Sequence, residues 1–311
     1  MRVTGRARGV PIGLVLALCV LRHASPSAAG ELTPTVAGSL QPMITTSELV
    51  VGPNRFAFGL LKDGSLLAAG DVALRVYDIR EQEAQLVAVT PAVYHPLELI
   101  DQGRQIHVHP DGTRHAHDTA TDVHGIYVAQ LTLERPGPWG LEIVVRRANG
   151  AVEAARLSVN ALAQPRSPMP GTPAPRSRNL VAGDVSDLRQ IDSSEPPDAR
   201  LHQTVIADAI RDGRPQVIVF ATPKYCTSRV CGPVLDVVRT LIPAYGRRVA
   251  FVHQEIWQPG GMQKLTPTVE EWNLRSEPWT FVVDGDGMIR ARFEGLTTGR
   301  ELEAILRQML R

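Results

Sequence analysis

A chain of 311 residues with 43% hydrophobic residues is long and apolar enough for two ordinary domains with real cores, so folding does not depend on a covalent staple. The formal charge is +1, and residues 1 to 29 carry Arg2, Arg6, Arg8 and Arg22 with no acid, so the rest of the chain stands at −3. That balance argues against nucleic acid as a partner.

The chain opens with Arg2, Arg6 and Arg8, then the apolar run "VPIGLVLALCVL" and the small-residue stretch "ASPSAAG". This pattern predicts a signal peptide over residues 1 to 29, cleaved after Ala29, and an extracytoplasmic protein, secreted, periplasmic or at the cell surface. The apolar run is about 12 residues, short of the roughly 20 that a spanning helix needs. Leu18 precedes Cys19 where lipid attachment calls for a small residue, so no lipid anchor is expected. With Cys19 removed, two cysteines remain, Cys226 and Cys231, in a compartment where disulfides persist.

Residues 30 to 162 alternate short β-rich runs with turn signals: "RFAFGLL", "VALRVYDI", "GIYVAQLTL", "GLEIVVRRANG" and "AVEAARLSV". Strands at this spacing predict an all-β immunoglobulin-like sandwich. Within it lies "HVHPDGTRHAHDTATDVHG", which holds His107, His109, His115, His117 and His124. Imidazole is the usual ligand of Cu(II) or Zn(II), so the stretch is a candidate metal site, with a solvated polar insertion as the alternative. A hairpin with an odd loop is expected to set His109 opposite His115 and His107 opposite His117, all on one face. An even loop splits the pairs between faces.

Residues 163 to 178, "AQPRSPMPGTPAPRSR", hold five prolines and read as an extended linker. Residues 179 to 311 then alternate types: a helix in "TVIADAIRDG", a buried strand in "PQVIVFAT", a helix in "GPVLDVVRTLIPAYG", a strand in "RVAFVHQEIW" and a short helix in "TPTVEEWNL". Two strands around the turn of "WTFVVDGDGMIRARFEG" and the amphipathic helix "GRELEAILRQMLR" close the chain. This order predicts an α/β domain whose sheet has an antiparallel edge.

Cys226 and Cys231 fall between the first buried strand and its helix, where unpaired N–H groups favour a thiolate. In one regular helix their Cα atoms would lie about 8.7 Å apart, beyond the roughly 7 Å that a disulfide spans. The pair can therefore bond only across a loop, and Pro233 suits a helix that begins after Cys231. Three readings stay open: a redox couple, a structural bridge and a metal clip. Closing so short a loop restrains the unfolded chain by only about 2 kcal/mol.

The motifs "VIVFAT", "CGP" and "EPWTFVVDGDG" give residues 178 to 311 a resemblance to the thioredoxin superfamily, in its TlpA-like and redoxin branches. The resemblance implies a thioredoxin-like fold and an enzyme that exchanges thiols and disulfides, acting on protein partners and on a membrane-side redox partner, with no cofactor required. It assigns Cys226 as nucleophile, Cys231 as the resolving thiol, Pro278 as the cis-proline beside them, and Glu277 as the residue facing the thiols. The spacing of "TPKYCTSRVCG" is also similar to peroxiredoxins with a resolving cysteine five residues on, which implies a thiol peroxidase; Pro223 and Val219 stand where that family has threonine and proline. A further likeness, to Sco-type copper chaperones, brings in His253 and makes copper binding or delivery the alternative function.

Overall fold

The computed structural model describes residues 34, 35, 40 to 62, 65 to 67, 70 to 81, 83 to 101, 104 to 109, 111, 113 to 117, 124 to 226, 230 to 259 and 261 to 311. The expected signal segment and Cys19 lie outside the described residues. The structure is mostly β-sheet with few helices.

Among the described residues through 162 every element is a strand. The main sheet runs in the order Pro34–Thr35, Val152–Leu162, Gly137–Arg146, Asp71–Arg80, Glu83–Pro96, Gly125–Leu133, Gly52–Lys62 and Leu40–Ile44. Strand Glu83–Pro96 joins its two halves: residues 83 to 91 pair with Asp71–Arg80, and residues 92 to 96 pair with Gly125–Leu133. Alternating residues from both halves meet in one core. Phe56, Phe58, Tyr127 and Leu131 come from one side, and Leu74, Val76, Trp139, Ile143 and Leu157 from the other. Alternation of this kind is what one buried face of a strand requires.

A separate small sheet holds Ile100–Asp101, Arg104–Val108 and Arg114–His117, all antiparallel. Residues 163 to 178 form neither helix nor strand, yet they are docked. Pro173 bridges Met288, the Gly171 amide donates to the Ile289 carbonyl at 2.8 Å, and the Ile289 amide donates to Thr172 at 2.9 Å.

The second half is built on a four-stranded sheet in the order Ala250–Glu255, Gln216–Ala221, Trp279–Val283 and Ile289–Glu294. The first pair is parallel and the other two pairs are antiparallel. Helices Ile206–Arg211, Cys231–Tyr245, Pro267–Glu271 and Gly299–Met309 accompany it. Thr298 caps the last of these through a capping box with Glu301. Among the described residues no helix is long and apolar enough to cross a membrane.

The two halves share a core. Ala57, Leu97, Leu99, Val108, Ile126 and Val128 cluster with Val217, Val219, Cys231, Val234, Leu235 and Leu302. At its edge Arg55 donates to both carboxylate oxygens of Glu301 at 2.9 and 3.2 Å and to the Leu296 carbonyl at 3.0 Å. Arg292 donates to Glu48 at 2.9 Å, and Glu294 accepts from the Ser47 amide at 2.9 Å. Arg55→Ala leaves Glu301 in place without its guanidinium partner, so a loss of about 2 to 3 kcal/mol is expected. Urea unfolding checks it: the midpoint should fall at unchanged slope, and an unchanged midpoint would show that the contact contributes nothing.

Candidate thiol site and the buried polar cluster beside it

Strand Gln216–Ala221 is buried at every residue, as are Ala250–Glu255 and Trp279–Val283 on its flanks. A turn follows, in which the Tyr225 amide donates to Thr222 at 3.1 Å, and Cys226 comes next. Residues 227 to 229 lie outside the described residues. Helix Cys231–Tyr245 has Val230 as its N-cap, so it begins at Cys231 itself and not after it. Pro233 falls in its first turn, where a missing N–H costs no hydrogen bond.

Both cysteines are thiols. Cys226 is half-buried against the shared core, and Cys231 is fully enclosed within it. Burial pushes the Cys231 thiol far above its ordinary pKa. A hydrogen bond and charge interaction with Cys226 act in the same direction, as does the charge of Glu277, while a backbone hydrogen bond from Thr222 opposes them. The pair is thus asymmetric: one sulfur near solvent, the other holding its proton.

Pro278 immediately precedes Trp279, which pairs with Phe220, so it lies at the strand edge from which the chain leaves for Cys226. The Glu277–Pro278 bond is cis. Burial raises the pKa of Glu277, and the negative charges of Cys226 and Glu255 add to that. The strand before Cys226 carries no carboxylate; the acid that acts on the thiols is Glu277, and Glu255, at the end of the neighbouring strand, acts on Glu277 in turn. Glu255 is anchored by the Ser193 and Ile256 amides at 2.9 and 3.0 Å.

Sequence reasoning missed the residues on the far side of Glu255. Segment 179 to 204 packs against strand Ala250–Glu255 through short 3-10 turns and brings Asp192 and His202 against His253. His202 Nε2 lies 3.1 Å from Asp192 Oδ2, and His253 Nδ1 lies 3.5 Å from Asp192 Oδ1. All three side chains are excluded from solvent. Burial alone would make Asp192 a weak acid, but the two histidines outweigh it and hold its pKa well below the usual carboxylate range. Burial lowers the pKa of His202 despite its bond to Asp192. Burial also works against charging His253, yet Asp192, Glu255 and the Ala221 carbonyl reverse the balance and raise it. Next to this cluster Arg239, equally buried, bonds Asp236 at 2.8 Å, Ser194 Oγ at 2.9 Å and Asp198 at 3.2 Å. The one signal in the sequence was the spacing of Asp192, Asp198 and His202 in a stretch without apolar periodicity, and by itself it pointed to no chemistry.

The histidine hairpin departs from its expected register. Its loop is odd, but it closes at His109, whose amide donates to Thr113 at 2.9 Å. His107 therefore stands opposite His115, and His117 stands opposite Gln105. The cause is Asp111, which accepts from the Thr113 amide at 2.8 Å and its hydroxyl at 2.6 Å and so tightens the turn to three residues. The rings of His109 and His115 stack at 4.4 Å with their nitrogens in contact. The side chains of His107 and His117 lie outside the described residues, and His124 is exposed at the entry to Gly125–Leu133. Strand Arg104–Val108 of this hairpin runs against helix Cys231–Tyr245.

The difference between the thiols has a direct chemical readout. At pH 8, iodoacetamide should label Cys226 well before Cys231, which should react only after denaturation; mass spectrometry of the peptides checks it, and equal rates would contradict the burial of Cys231.

No family model matches the chain, and neither a curated protein nor a solved structure is found that matches it.

Proposed function

We propose that the protein is an exported thiol–disulfide oxidoreductase whose second half is thioredoxin-like and whose first half is an immunoglobulin-like sandwich. The observation that carries the reading is the hydrogen-bonded pair of one half-exposed and one enclosed thiol, with the Glu277 carboxyl in electrostatic reach of both. The sheet order, with the strand before Cys226 in the centre and an antiparallel pair at one edge, supports it.

In the reducing direction the Cys226 thiolate attacks one sulfur of a partner disulfide, a mixed disulfide forms and the partner's other sulfur leaves as thiolate. Cys231 then gives up its proton and attacks Cys226 Sγ; the Cys226–partner bond breaks, and the partner departs with both thiols after protonation. Two electrons pass to the partner, and a membrane-side dithiol returns them. The first step removes the negative charge from Cys226, and with it one of the causes that hold the proton on Cys231 and Glu277. Glu277, ionised, accepts that proton in the second step. Pro278 shapes the edge on which the partner chain docks.

Cys226→Ser should abolish reduction of a protein disulfide, and Cys231→Ser should accumulate the mixed disulfide, visible as a mass adduct. Full turnover by either variant would overturn the reading. Glu277→Gln should slow resolution of the mixed disulfide by about 100-fold, the lower range for loss of a general base. Rapid-quench kinetics separates that step from the first.

A second reading, copper binding or delivery, is favoured by the stacked rings of His109 and His115. On that reading, replacing both by Asn should remove one equivalent of Cu(II) in a titration followed by absorbance, while the cysteine variants leave it in place. Unchanged uptake by the double variant would remove the hairpin from consideration.

A further inference from the structure

The buried cluster next to the thiols has the geometry of a metal centre that neither the thiol chemistry nor the hairpin uses. We propose that Asp192, His202 and His253 bind one divalent ion of the zinc class, held by Asp192 Oδ, His202 Nε2 and His253 Nδ1 with a remaining position facing the adjacent cavity.

The spacing fits. The ligand atoms all lie within 4.8 Å of one another, with 3.1 Å from Asp192 to His202 and 3.5 Å from Asp192 to His253. Ligands at about 2.1 Å in a tetrahedral site are about 3.4 Å apart, so small movements admit an ion at their centre.

The protonation pattern also fits. His253 Nε2 lies 3.0 Å from the Ala221 carbonyl and donates to it, which leaves Nδ1 as the ring nitrogen facing Asp192, where it carries a proton until a metal takes its place. That nitrogen is fully enclosed, and at 3.5 Å from Asp192 Oδ1 its ion pair does not meet hydrogen-bond geometry, so the space between them is loosely filled for a buried polar pair. Asp192 is oriented by donors outside the set: the Ser194 amide and hydroxyl at 2.8 and 2.6 Å, and the Asp198 amide at 2.9 Å. Such outer bonds are the usual support of a ligating carboxylate. Among the described residues no lysine or arginine pairs with Asp192; its ion-pair partners are the two histidines. Metal entry shifts the His202 proton from Nε2 to Nδ1 and sends the His253 Nδ1 proton to solvent, so both imidazoles ligate in the neutral form and no redox partner is needed.

A cavity of about 310 Å³ is lined by His202, His253, Glu255, Trp257 and Thr268, which puts it against two of the three ligand residues. Two imidazoles and one carboxylate without sulfur suit Zn(II) and its spectroscopic substitute Co(II) better than Cu(I).

The test uses the full chain stripped with chelator and titrated with Co(II) and Zn(II). One equivalent of Co(II) should bind and give visible d–d bands, and X-ray absorption of the zinc-loaded protein should show nitrogen and oxygen neighbours with imidazole outer scattering and no sulfur. His202→Gln, which keeps a donor for Asp192, should weaken binding by more than the 10- to 100-fold that loss of an outer partner costs. Cys226→Ser/Cys231→Ser and His109→Asn/His115→Asn should retain full stoichiometry. Failure to take up either ion, sulfur in the absorption spectrum, or loss of binding in the cysteine or hairpin variant would overturn the assignment. Should His202→Gln misfold by near-ultraviolet dichroism, the absorption spectrum of the unmodified protein decides alone.

Discussion

Enclosure of Cys231 is the constraint on which the proposed thiol chemistry depends. A thiol in an apolar core keeps its proton because nothing there solvates a thiolate, and this core is not supplied by one half of the chain. Ala57, Leu97, Val108 and Ile126 from the first half close over the same cluster as Val217, Val234 and Leu235 from the second. The contacts at Arg55, Arg292 and Glu294 are therefore tied to the thiols: they hold the first half in the position that keeps water from Cys231. The β-sheets of the first half are part of the site's dielectric, and not only a domain carried alongside it.

The second constraint is the price of burying charge. Asp192, Asp198 and Asp236 are all enclosed, and each isolated carboxylate would lose several kcal/mol of hydration. Arg239 offsets this for Asp198 and Asp236, and the short turns of segment 179 to 204 aim backbone amides at Asp192 and Asp198. Irregular backbone is what this task requires, because a regular helix or strand spends its amides on itself. That is why the segment has little regular structure and is nonetheless buried at Asp192, Asp198, Leu201 and His202.

The sequence was legible where burial is periodic. "GIYVAQLTL" reads as a strand and is Gly125–Leu133, and "PQVIVFAT" holds the buried strand Gln216–Ala221. Glu83–Pro96 was not legible, because residues 83 to 89 are exposed on both faces and its place comes from its pairing partners. The cysteines were legible as a pair, and the sequence required a loop between them. The helix start differed by one residue, a shift within the ordinary uncertainty of a helix end. The hairpin register was not legible, since it turned on which residue the Asp111 carboxylate would cap. Least legible of all were Asp192 and His202, whose partner His253 is fifty or more residues away along the chain. Only the packing of an aperiodic segment against strand Ala250–Glu255 brings them together.

That same packing links the two polar sites electrostatically. Ala221 ends the strand that leads to Cys226, and its carbonyl accepts from His253. Glu255 ends the neighbouring strand, and its charge raises the proton affinity of both His253 and Glu277. A charge change on one side of Glu255 is therefore felt on the other. A proton or a dication at His253 compensates Glu255 and eases ionisation of Glu277, while a negative charge at Cys226 does the opposite. Because the intervening groups are buried, these effects are screened far less than between surface charges. The proton affinities of His253 and Glu277 are thus coupled through Glu255, at the ends of two adjacent strands.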